Sequence, residues 1–191
     1  MKYTLDQSDT VTTPSGATLY RIRYVDGTRG GYLQSTANLD PGSNAWVYGD
    51  ARVYGNARVY GNAWVYGNAR VYGNARVYGN AQVSGDARVY GNAWVYGNAW
   101  VYGNARVSGD AQVSKPSHSL ALGPLGSRNA TLTVCRDSKL GVSYVTGCFF
   151  GSRDAFIAAI GATHGNTHHG NAYAAAIMLA DHVVPAFGSE D

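Results

Sequence analysis

The chain has 191 residues, of which 25 are Gly and 15 are Tyr; 14% are charged, and the formal net charge is +3. A hydrophobic fraction of 45% excludes a disordered polyampholyte, and only 5 Pro with no Gly-X-Y period exclude collagen. No apolar run approaches the ~20 residues of a membrane span, the first residues lack the apolar core of a signal peptide, and two Cys make no disulfide framework. A cytoplasmic protein without membrane contact is expected, and so mild a charge does not point to a nucleic-acid polymer.

Residues 1–30 are not repetitive. Alternation from Ala17 to Val25 sets Tyr20, Ile22 and Tyr24 on one side and Leu19, Arg21 and Arg23 on the other, which predicts a strand. Its expected task is to cover the open end of the repetitive region that begins near residue 31, because an uncovered strand edge invites polymerisation.

From Asn44 to Lys115 the unit Asn/Asp-Ala-x-Val-Tyr/Ser-Gly recurs twelve times, with Ala and Val invariant. A spacing of two puts Ala and Val on one face of an extended segment and x and Tyr/Ser on the other. Gly with Asn or Asp after it supplies a corner. Six residues are too few for a hairpin meander but fit one side of a triangular coil of eighteen residues, stacked at ~4.8 Å. Weaker rungs, Gly31-Tyr32-Leu33 and Ala37-Asn38-Leu39, precede with one residue inserted around Pro41, so the solenoid is expected over residues 31–114.

In its Val-x-Gly-x-Ala-x phase this unit resembles the hexapeptide repeat of left-handed parallel β-helices, known from acyltransferases and related trimers. Leu19-Tyr20-Arg21-Ile22-Arg23, then Gly27-Thr28-Arg29-Gly30-Gly31-Tyr32-Leu33, then Asn44-Ala45-Trp46-Val47-Tyr48-Gly49, looks like uncharacterised bacterial and phage solenoid proteins. The resemblance implies a mainly β, left-handed helix assembling as a homotrimer.

Residues eighteen apart should stack. One face then carries Trp46, Trp64, Gln82 and Trp100 beside Tyr48, Tyr66, Ser84 and Tyr102. Exposed aromatic area of that size marks an interface, so Trp46, Tyr48, Trp64, Tyr66, Trp100 and Tyr102 are the candidate oligomer contacts. The second face carries Arg52, Arg70, Arg88 and Arg106 beside Tyr54, Tyr72, Tyr90 and Ser108; the third is mixed. Either each Arg stacks on a neighbouring Tyr ring, or the Arg and Tyr rows receive a small anionic, nucleotide-like ligand.

After Ser114 the composition shifts, and residues 115–191 read as a small module of order ββαα. The expected strands are Thr131 to Cys135 and Gly141 to Phe150; the expected helices are Arg153 to Thr163, capped by Ser152 with Phe156, Ile157 and Ile160 as its buried stripe, and Asn171 to Asp181. The segments Gly123-Pro124-Leu125-Gly126-Ser127-Arg128, Gly147-Cys148-Phe149 and Thr163-His164-Gly165 resemble the C-terminal module of such solenoids in phage and prophage proteins. Arg128, Ser152 and Arg153 are further anion candidates, the last two at a helix start. His164, His168 and His169 read as loop histidines, and Cys135 and Cys148 as buried small hydrophobes.

Acyl transfer needs a general-base His near the coils, and none occurs before His118. No catalytic residue, metal or cofactor is expected. The function expected is a non-enzymatic oligomeric scaffold, binding itself and a host protein, with capture of an anionic nucleotide-like ligand as the alternative and hexapeptide-type acyl transfer behind both.

Overall fold

The computed structural model describes residues 2–189. Three strands lead in: β1 (Tyr3–Thr12), β2 (Thr18–Tyr24) and β3 (Arg29–Leu33). Both β1–β2 and β2–β3 are antiparallel, and β3 then pairs in parallel with the first coil. The expected alternation in β2 breaks: Leu19, Ile22 and Tyr24 are the buried residues, and a register shift between Arg21 and Arg23 resets the face. The whole of β1 was unexpected.

Each repeat then forms a two-residue strand, and three parallel sheets result. The first holds β4 (Trp46–Val47), β7 (Trp64–Val65), β10 (Gln82–Val83) and β13 (Trp100–Val101). The second holds β5 (Arg52–Val53), β8 (Arg70–Val71), β11 (Arg88–Val89) and β14 (Arg106–Val107), extended by β3. The third holds β6 (Arg58–Val59), β9 (Arg76–Val77), β12 (Trp94–Val95) and β15 (Gln112–Val113). The chain is a parallel β-solenoid of about five turns. Every Ala and Val of the repeat is buried, so the core is a narrow column of two small residue types. Along two corners the side-chain amides donate from coil to coil, Asn44 to Asn62 at 3.2 Å and Asn56 to Asn74 at 3.1 Å among them.

The register is the expected one, with Arg52 on Arg70 and Trp46 on Trp64. The first coil departs: Tyr32 lies on Arg52 and Leu39 bridges Val59, a spacing of 20 residues against 18 later, so the insertion is two residues rather than one. The extra residues sit in the turn around Pro41, outside the paired strands, so the apolar side chains on either side stay inward.

The N-terminal end is closed by side chains. Lys2 Nζ donates to the carbonyls of Ser43 and Ala45, and Asn38 Nδ2 to those of Gly55 (3.0 Å) and Ala57 (2.9 Å). Tyr3, Ile22, Tyr24 and Leu33 fill the end of the core.

The C-terminal module is an antiparallel sheet in chain order, β16 (Ser119–Leu125), β17 (Ala130–Asp137), β18 (Gly141–Thr146) and β19 (Phe149–Ser152), with α1 (Arg153–His164) and α2 (His168–Val183) after it. Its order is ββββαα, not ββαα. The single strand expected from Gly141 to Phe150 is broken by a turn at Gly147 and Cys148, where Gly147 has φ +54°. Thr167 caps α2, so His168 and His169 belong to a helix and not a loop. In α1, Phe156 is buried as expected but Ile157 is exposed.

Strand β17 joins the two parts through its alternation. Leu132 and Val134 pack with Tyr144, Phe156, Tyr173 and Ile177 under the helices, while Cys135 belongs to the solenoid core. Thr133 Oγ1 accepts the Arg106 N–H at 2.9 Å, and Asp137 bridges Ala111. The module thus covers the ends of the second and third sheets. The first sheet ends at β13, which among the described residues pairs with β10 alone.

Candidate functional site

On the first face the six aromatic residues picked from the sequence fall into two groups, with Tyr66 apart from both. Trp46 and Tyr48 belong to the N-terminal cap: Tyr24 lies 4.2 Å from the Trp46 ring, Lys2 Nζ sits 4.3 Å over it, and Tyr48 stacks on it at 5.2 Å. Trp64, Trp100 and Tyr102 stand out to solvent with 48%, 56% and 65% of their surface exposed. Tyr66 is half-buried and donates through its hydroxyl to Gln82 Oε1 at 3.4 Å. Gln82 and Ser84 interrupt both aromatic columns on one rung. A hollow of about 450 Å³ between Tyr66, Gln82, Trp100 and Tyr102 results.

The second face differs from expectation. The tyrosines stack on one another, Tyr54 on Tyr72 and Tyr72 on Tyr90, both at 5.0 Å and within 3° of parallel. Burial raises the Tyr54 and Tyr72 phenols above their ordinary range. Among the described residues the cation–ring contacts belong to Lys2, Arg21, Arg76 and Arg136, so the expected Arg-on-Tyr stacking is absent from this face. No described carboxylate pairs with Arg52, Arg70 or Arg88. Arg106, at the top of the row, donates to the Gly147 carbonyl at 2.8 Å. Between it and the module lies a polar cavity of about 220 Å³, lined by Asp86, Arg88, Asn104, Arg106, Asn129 and Thr131.

The helix-start candidates are otherwise occupied. Ser152 Oγ accepts the Ala155 N–H at 3.4 Å as an N-cap, and Arg153 grips Asp181 with both arms, at 2.8 and 2.7 Å. The pair holds Asp181 below the ordinary carboxylate range, Arg153's hydrogen bond being the main cause.

Arg128 is placed differently, at a cavity of about 340 Å³ inside the module. Ser127 and Arg128 line it from the β16–β17 turn, Thr146 to Phe149 from the β18–β19 turn, and Thr163 and His164 from the end of α1. These three segments stand out separately in the sequence; the fold brings them to one place. Cys148 lies exposed at this cavity, not buried, whereas Cys135 is enclosed and its thiol is pushed up to about 12. His164 packs on Tyr173 at 5.7 Å and on His169 at 5.9 Å. Among the described residues no cluster of three or more His, Cys, Asp or Glu could hold a metal, and no helix is long and apolar enough to cross a membrane.

The family model of the YdcK beta-solenoid repeat matches residues 51–67, 69–85, 81–97 and 99–115. With the three parallel sheets, this makes the chain a solenoid repeat protein. No curated protein matches it.

Proposed function

We propose that the protein is a non-enzymatic, self-associating scaffold of phage or prophage type, a left-handed parallel β-helix that forms a cytoplasmic homotrimer and presents its C-terminal module to a host protein. One observation carries this reading: Trp64, Trp100 and Tyr102 are each about half exposed or more on a sheet face whose columns contain no charged side chain. Aromatic area of that kind is buried by partners. The module has its own outward apolar surface on α2, at Met178 and Leu179, for a second contact. Left-handedness and the trimer rest on the resemblance to hexapeptide-repeat helices. Light scattering on Trp64→Glu tests the reading. The charge enters a desolvated contact, so the particle mass should fall while β-type circular dichroism is kept. An unchanged oligomer mass, or a monomeric wild type, overturns it.

The Arg row favours a second reading, capture of a small anionic ligand. Arg52, Arg70 and Arg88 lie in register, and among the described residues neither a ring nor a carboxylate offsets their repulsion. Replacing Arg70 and Arg88 with Gln should leave stability unchanged or raised. If a nucleotide binds the wild type there, the loss of two charge-assisted contacts of ~1.5–3 kcal/mol each weakens binding by about a hundredfold or more.

A further inference from the structure

We infer that the cavity of the C-terminal module binds a small monocarboxylate with an apolar body. Its volume, about 340 Å³, lies at the small end of the ligand-pocket range. Its walls are Phe149, Phe156, Ile160 and Tyr173, which exclude water and favour a flat or branched hydrocarbon group.

Among the described lining residues Arg128 carries the one fixed charge, beside neutral hydroxyl, thiol and ring groups. Arg128 is a permanent cation, and among the described residues no Asp or Glu lines the cavity to neutralise it. The fork of a single guanidinium matches a carboxylate, with one negative charge for one positive. A phosphate monoester would bring nearly two charges to one cation and a hydration shell that the aromatic walls cannot replace. Thr146, which also lines the cavity, has its hydroxyl oxygen buried without a hydrogen-bond partner among the described residues. That oxygen has almost no accessible surface, so a ligand pairs with it only once the Thr146 side chain turns towards the cavity. His164, packed on Tyr173, lines the same cavity.

This site is independent of self-association, so either reading can fail alone. The test is calorimetric titration of the full chain with phenylacetate, 3-methylbutanoate, benzyl alcohol and inorganic phosphate. In parallel, the rate of Cys148 labelling by a thiol reagent is measured; Cys135 is enclosed and stays silent. Expected are binding of at least one acid, tenfold or weaker binding of the alcohol, no binding of phosphate, and slowed Cys148 labelling by the acid. Arg128→Gln should erase the preference for acid over alcohol. Ala159→Trp should fill the cavity and abolish binding, and Thr146→Val should weaken it several-fold with the fold and particle mass retained. Two results each overturn the proposal: no acid binding at millimolar concentration, or unchanged affinity and selectivity in Arg128→Gln.

Discussion

The hydroxyl of Tyr24 closes the backbone of Val47, accepting its N–H at 3.0 Å and donating to its carbonyl at 3.2 Å. One phenol thereby replaces the strand that β4 lacks on its N-terminal side. In Tyr24→Phe both Val47 groups lose their partner in a buried setting, at about 1–3 kcal/mol each. The melting temperature should drop by several degrees with secondary structure intact. A variant that melts with the wild type would show that Val47 has another partner.

The corners make a paired prediction. Gly79 has φ +69°, and a Cβ there would lie 2.9 Å from the Gly97 nitrogen one coil up; Gly103, at φ +62°, has nothing within 4 Å. Gly103→Ala should cost only the left-handed conformation, about 1–2 kcal/mol. Gly79→Ala adds a clash with backbone that is pinned by the stack, so its denaturation midpoint should lie clearly lower. Equal midpoints would mean that the coils separate without cost.

The module covers two sheet ends through β17. A chain ending at Ser114 uncovers β14 and β15 as well as β13 and leaves three adjacent open edges at one end. Dynamic light scattering should then show growth to large or fibrous particles at concentrations where the full chain is monodisperse. A discrete truncated species would refute the capping role.

Arg153 and Asp181 tie the start of α1 to α2, and Asp181 titrates below its ordinary range because of that bond. A lowered folded-state value means that the ionised pair favours the fold above the ordinary Asp value of about 3.9 and loses that effect as pH falls through the lowered one. Both partners are partly solvated, so the effect is modest. Melting curves of wild type and Asp181→Asn should differ at pH 7 and converge as pH falls through the lowered Asp181 value. A gap that stays constant across the whole acid range would assign the difference to packing.

Much of the architecture was legible because two positions of the repeat never vary. Invariant Ala and Val fix the inward face, and Gly at each corner fixes the period, so the stacking of Arg52 on Arg70 could be read without coordinates. The failures have local causes. β1 is rich in Thr, Asp and Ser and buries little beyond Tyr3, so it carries no apolar alternation. β16 contains Gly123 and Pro124, which read as a break but sit where the register with β17 shifts. Which residues share a column was legible; whether a Tyr turns to the next Tyr or to an Arg depends on rotamers, which the repeat does not encode. The module cavity left only a faint signal, three odd motifs far apart in the chain.

The spacing between identical corners also makes the solenoid an indexing mechanism. Excising Asn62 to Gly79 removes β7, β8 and β9, one whole coil, and every later side chain drops by about 4.8 Å onto a column of its own kind. Excising only Asn74 to Gly79 turns every later residue by a third of a revolution: Gln82 moves from the first side to the third, Arg88 from the second to the first, and the module's cavity swings round with them. Reach along the axis and heading around it are therefore set separately by the same sequence, the first in whole coils and the second in single repeats.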